Sequence, residues 1–193
     1  MMVEKTREID RPENPPEDYQ PKYETYEELE TINTMTPIWK KRKSQVKSEE
    51  YNEFYKNTFH DWTDPRDVIS FHAEGALSYD VLLFIPGQRP YDFYTKDYKK
   101  GLQLYSSNVK IMDKCEELLP DYFAFVKGIV DSQDLHLNIS RETLQHNTQL
   151  VAISRRVEKK IKQELEKLMK DKRDNYVEFW KDFGRNIKFG AYD

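Results

Sequence analysis

The run Val81-Leu82-Leu83-Phe84-Ile85 is apolar at every position. A strand with one wet face alternates apolar and polar residues, so an unbroken run belongs to a strand covered on both sides. The fold must therefore place this strand inside a sheet that has a layer on either face. Leu77 to Ile85 is expected as that interior strand, with Val68 to Ala73 as its hairpin partner across Glu74-Gly75. Leu102 to Ile111 and Tyr122 to Val130 have the composition of two further strands. Asp113 to Leu119 between them reads as a short helix stopped by Pro120.

Helical periodicity supplies the covering layers. Tyr51, Phe54, Tyr55, Thr58 and Phe59 recur at three- and four-residue spacing after Ser48, which reads as the cap. Leu150, Ile153, Val157, Ile161, Leu165 and Leu168 form a single stripe, which predicts a long helix over roughly residues 141 to 172. Its other face is rich in Lys and Arg, and Glu158 with Lys162 and Glu166 with Lys170 stand at favourable i,i+4 spacing. A second helix from about Asn175 to Ile187 is expected to bury Tyr176, Phe179, Trp180 and Phe183.

The remaining segments are polar. Residues 1–22 hold Pro12, Pro15, Pro16 and Pro21 among many acids, the composition of a linker or tail. Tyr23 to Trp39 reads as extended structure ending in a turn at Pro37, and the basic run Lys40 to Lys43 follows it as a solvated loop. Pro86-Gly87 and Arg89-Pro90 introduce a loop carrying Tyr91, Phe93 and Tyr94, either an exposed docking patch or packing beneath the loop.

Charged residues make up 34% of the chain against 37% apolar ones, with a formal net charge of −4. That balance fits a heavily charged surface and weighs against nucleic acid as the main partner. No run approaches the roughly 18 apolar residues of a membrane span, and the N-terminal residues do not form a signal peptide. Cys115 is the single cysteine, which excludes an internal disulfide and agrees with a reducing compartment. A cytoplasmic location is expected on these grounds.

Between the last strand and the long helix lies the acidic, polar stretch Val130 to Gln149. Ser140 is a good N-cap for a helix beginning at Arg141, which would put a cation in the first helical turn. A cation there faces the positive end of the helix dipole, a conflict of roughly 0.3–1 kcal/mol that an anion would relieve. Asn138 and Gln145 could donate further hydrogen bonds to such a ligand. Arg141 therefore either binds an anion such as a phosphate, or pairs with Asp131, Asp134 or Glu142 and pins the loop. Among other motifs, no glycine-rich phosphate loop is present, and His60, His72, His136 and His146 show no metal-ligand spacing.

The run Leu137-Asn138-Ile139-Ser140-Arg141-Glu142-Thr143-Leu144-Gln145, preceded by Val130-Asp131-Ser132, closely resembles the middle domain of the heat-shock protein 90 chaperones. Four other segments match in the same order: Pro37-Ile38-Trp39, Glu50-Tyr51 through Phe54-Tyr55, Leu83-Phe84-Ile85-Pro86, and Phe179-Trp180 with Phe183-Gly184. The resemblance runs from about residue 23 to the end and is closest to the bacterial branch of the family. His136 stands where the family has proline and Thr143 where it has a larger apolar residue.

This resemblance implies an α/β fold, an α-β-α sandwich around a mixed sheet over residues 23–140, followed by a helical extension over 141–193. It implies one part of an ATP-dependent chaperone whose N-terminal domain binds ATP and Mg and whose C-terminal domain makes the parent a homodimer. Client proteins would be the remaining partners, with no membrane involved. Arg141 matches the arginine that reaches the ATP γ-phosphate, Gln145 the glutamine that supports it, and Asn138 lies in the same catalytic loop. Trp39, Tyr91 and Phe93 match positions associated with client contact and with an apolar patch near that loop. The fragment alone is expected neither to bind ATP tightly nor to hydrolyse it, and no metal site is expected. The alternative from the residues is a nucleic-acid-binding domain that uses the basic helix.

Overall fold

The computed structural model describes the backbone of residues 2–9 and 22–29 and the residues 36–135 and 148–191. It divides into two compact units, Met1–Thr36 and Pro37–Asp193. The first unit is an antiparallel pair of strands, β1 (Met2–Ile9) and β2 (Lys22–Leu29), in register from Met2 opposite Leu29 to Ile9 opposite Lys22. Within residues 1–22, expected as a linker or tail, β1 forms a strand, and the boundary between the two units falls at Thr36. Charges fill half of β1, so the strand lacks the apolar alternation that would announce it; backbone ladder bonds need no apolar face.

The second unit is built on a five-stranded mixed sheet. Its strands are β3 (Asp67–Ala73), β4 (Tyr79–Ile85), β5 (Leu102–Ser106), β6 (Val109–Cys115) and β7 (Lys127–Ser132), in the order β3-β4-β7-β5-β6. Only β5 and β7 run parallel. As its composition predicts, β4 is interior and buried at all seven positions. Its Tyr79, Val81, Leu83 and Ile85 enter one core, and Leu82 and Phe84 enter the other.

Among the described residues, three helices provide the layers: α1 (Ser48–Phe59), α2 (Thr148–Asp171) and α3 (Arg173–Phe189). Tyr51 and Tyr55 of α1 cover Leu82 and Phe84, with the rings of Tyr55 and Phe84 5.1 Å apart. On the other face, all six stripe residues of α2 are buried beside Phe179 and Phe183 of α3. Phe183 stacks on Phe125 at 4.5 Å. Each such side chain withdrawn from water contributes roughly 1.5–3 kcal/mol before entropy is counted. The helical C-terminal stretch is thus the second covering layer of the sandwich.

Several local expectations change. The Leu102–Ile111 strand is a hairpin, β5 and β6, because Ser107 and Asn108 both take positive φ (49° and 69°) and make a two-residue turn. The short helix expected from Asp113 gives way to β6 as far as Cys115, followed by one 3₁₀ turn, Glu116–Leu118. The strand expected from Tyr122 begins only at Lys127, after a 3₁₀ turn at Asp121–Phe123. Ser48 is the first helical residue of α1 and not its cap; Glu50 instead accepts the Lys47 N–H at 3.1 Å. Trp180 lies on the outer side of α3, 37% exposed, while Phe179 and Phe183 take the core.

Candidate functional site

β7 leads from the sheet into the stretch that carries Arg141. Asn138, Arg141 and Gln145 lie outside the described residues, as do His136, Ser140 and Thr143. Described structure reaches Leu135, and it is densely bonded. The Asp131 carboxylate is fully buried; its Oδ2 accepts the Trp39 indole N–H at 3.0 Å and faces Lys40 Nζ at 3.4 Å. Its Oδ1 accepts the backbone N–H of Asn108 at 3.3 Å, from the β5–β6 turn. Asp134 Oδ2 accepts the Ser78 N–H at 2.7 Å, and Ser132 Oγ donates to the Ser78 carbonyl at 3.2 Å. Ser106 Oγ donates to the Leu135 carbonyl at 2.5 Å. The two described carboxylates offered to Arg141 by the sequence, Asp131 and Asp134, thus already hold partners.

Trp39 sits at this end of the sheet, on a 3₁₀ turn, Ile38–Lys40. Its ring is half-buried between Phe54 (6.1 Å) and Tyr105 (5.0 Å). Tyr91 and Phe93 belong to the loop after β4. Phe84 near the end of β4 faces Lys127 at the start of β7, whereas Tyr79 faces Ser132. The Tyr91 loop and the Arg141 stretch therefore leave the sheet from opposite ends. Trp39 stands with the latter.

Of the loop aromatics, Tyr91 is fully exposed and Tyr94 partly so, but Phe93 is 5% exposed. Phe93 meets Tyr98 at 4.8 Å and Phe183 at 5.7 Å, so it anchors the loop and does not belong to an exposed patch. A groove of about 890 Å³ beneath Tyr91 is lined by Trp62, Arg89, Lys99, Lys114 and Lys127, among others. Trp62 is 97% exposed, and periodicity does not mark it, because it sits in a loop with no regular pattern.

Other candidates resolve simply. Cys115 is buried, and desolvation with help from Glu117 pushes its thiol up to about 12, so it is a passive core group. Among the described residues no cluster of metal-ligating side chains is present, and no helix is long and apolar enough to cross a membrane. On the outer face of α2 the expected Glu158–Lys162 pair forms at 2.5 Å, whereas Glu166 and Lys170 form no pair among the described residues. Lys167 approaches Glu164 at 3.9 Å, so part of the basic face is neutralised by its own helix.

Comparison with known proteins agrees with this architecture. The family model for Hsp90 protein matches residues 2–193. The chain is 56% identical over 172 residues to the chaperone protein HtpG of Fusobacterium nucleatum, covering 89% of this chain and 28% of that protein. It is 50% identical over 192 residues to HtpG of Clostridium acetobutylicum, covering 100% of this chain and 30% of that protein. The chain thus spans less than a third of the length of these relatives. Among solved structures, the middle domain of a heat shock protein of Plasmodium falciparum matches with a TM-score of 0.71 at 30% identity, covering 80% of this chain and 60% of that one. The mixed sheet clad by helices on both faces and the ordered motifs from Pro37 to Gly184 have the same origin: the chain belongs to the Hsp90 family and has the fold of its middle domain.

Proposed function

We propose that the chain works as the middle segment of an ATP-driven protein-folding chaperone, giving a catalytic arginine to a neighbouring ATPase domain and a surface to client polypeptides. The observation that carries this reading is the match around Arg141 in a chain at least 50% identical to HtpG chaperones over most of its length. Arg141 is assigned to the γ-phosphate of ATP, Gln145 to its support, and Asn138 to the same loop. A guanidinium there stabilises charge that develops as the phosphoryl group leaves. ATP and Mg are bound by the N-terminal domain of the same chain, and a C-terminal domain holds two copies together, in the cytoplasm. The segment by itself is not an ATPase.

For client contact we assign Trp39 and Tyr91, supported by half-exposure of the first and full exposure of the second, with Phe93 reassigned to anchoring the Tyr91 loop. Full-length chaperone carrying Arg141→Ala, measured beside the unchanged protein, tests the catalytic assignment. ATP turnover is expected to fall roughly tenfold or more with nucleotide affinity little changed, as loss of a transition-state contact requires. Collapse of affinity together with turnover would make Arg141 a ground-state ligand. Unchanged values for both would make it a loop anchor and end the assignment.

A further inference from the structure

The buried polar and charged side chains of the described residues are Asp80, Ser106, Asp131 and Ser132. All four lie at one end of one sheet. Asp80 is paired with Asp131 and Tyr79 with Ser132 across β4 and β7, and Tyr105, next to Ser106, is paired with Asp131 across β5 and β7. The opposite end, where Phe84 faces Lys127, has none. Two carboxylates facing each other across strands repel, and a buried carboxylate costs several kcal/mol of desolvation that its partners at best offset. Well-packed apolar residues of similar volume in place of such a buried charge are often at least as stable. The expense is concentrated where β7 departs toward Arg141.

Apart from a local bond from the Asp134 N–H to Ser132 Oγ, the bonds of the departing chain fasten it to segments far away in sequence. Asp131 takes Trp39, Lys40 and Asn108. Ser132 and Asp134 take Ser78. Leu135 is gripped through its carbonyl by Ser106, and its side chain is buried. A transition-state contact from a loop loses value steeply when its base moves by an ångström, so a rigid pier under the loop matters to rate more than to binding.

We propose that Asp131 is a positioning residue for Arg141, holding the exit of β7 through Trp39, Lys40 and the β5–β6 turn. This rests on the catalytic assignment of Arg141 above. The test is a double-mutant cycle in the full-length chaperone with Asp131→Asn, Arg141→Ala and both together. Asparagine keeps an oxygen for the indole N–H but gives up the charge that holds Lys40. Asp131→Asn is expected to lower kcat by three- to tenfold, to leave the KM for ATP within about twofold, and to have no further effect once Arg141 is alanine. Emission of Trp39, read with Trp62→Phe and Trp180→Phe in place, is expected to shift to the red.

If Asp131→Asn leaves kcat unchanged, or costs the same factor with and without Arg141, the positioning role is overturned while the reading of Arg141 stands. If Arg141→Ala is itself silent, that reading falls and this one falls with it. Should Asp131→Asn fail to fold, Ser106→Ala, which releases the Leu135 carbonyl, takes its place with the same expected cycle. Loss of stability alone would move the urea midpoint and leave the kcat of the folded protein unchanged.

Discussion

Gly128 lies in β7 directly opposite Leu83 of β4. A Cβ added there would stand 2.3 Å from the Leu82 carbonyl oxygen, 2.8 Å from Leu83 Cα and 2.9 Å from Leu83 Cδ2. The first two are backbone atoms of a strand buried at every position, and the shortfall against ordinary contact is about 1 Å. Gly128→Ala must therefore spread β4 from β7 in the middle of the sheet, stretching ladder bonds and unseating both cores. Overpacking of a core costs roughly 1–3 kcal/mol, and a clash with backbone belongs at the upper end. For a unit of this size 1 kcal/mol corresponds to about 2–4 °C, so about 3 kcal/mol lowers the melting temperature by roughly 6–12 °C. Thermal unfolding followed by circular dichroism measures it. Trp39 emission should move as well, because Asp131 is on the same strand. A drop of less than about 2 °C would refute the reasoning, since it would show that the two strands can part without loss.

The Arg141→Ala and Asp131→Asn experiments above test the site. His72 Nδ1 lies 2.7 Å from Asp80 Oδ1 and its Nε2 3.2 Å from Glu74 Oε1. The hydrogen bond to Asp80 is the largest cause raising its pKa above the ordinary value, against some desolvation. The imidazolium is thus favoured by folding, so this stabilisation is complete below about pH 6.5, the unfolded value, and disappears as pH rises through the folded one. The urea midpoint of the unchanged chain should exceed that of His72→Gln at about pH 5.5 and converge with it at about pH 8.5; a gap that widens with pH would contradict the pairing. Cys115, with its thiol at about 12, should resist alkylation in the folded chain at about pH 8 and react readily in urea. Comparable rates in the two states would show that the thiol is not held in the core.

Much of this architecture is legible in short stretches of sequence. The apolar run of β4 specifies a doubly covered strand because alternation is a local consequence of the pleat. The stripe of α2 does the same for a one-faced helix, and all six of its residues are buried as their spacing requires. Capping and the helix dipole mark Arg141 as a candidate anion site, but its role toward ATP is legible only through family resemblance, and its three site residues lie outside the described structure. Other features depended on partners distant in the chain. Trp39 and Asp131 are 92 residues apart, and neither residue's type announces the bond between them. Phe93 and Tyr91 are two aromatics of one loop, yet Phe93 turns inward because Phe183 of the last helix offers it a wall. Trp180 faces out because Phe179 and Phe183 occupy the inner side of the same helix. Periodicity reports which faces of an element are apolar, since it follows from backbone geometry alone. Which buried carboxylate meets which donor is decided when strands from distant parts of the chain are brought into register, and the cost of leaving that charge unpaired then fixes the pairing.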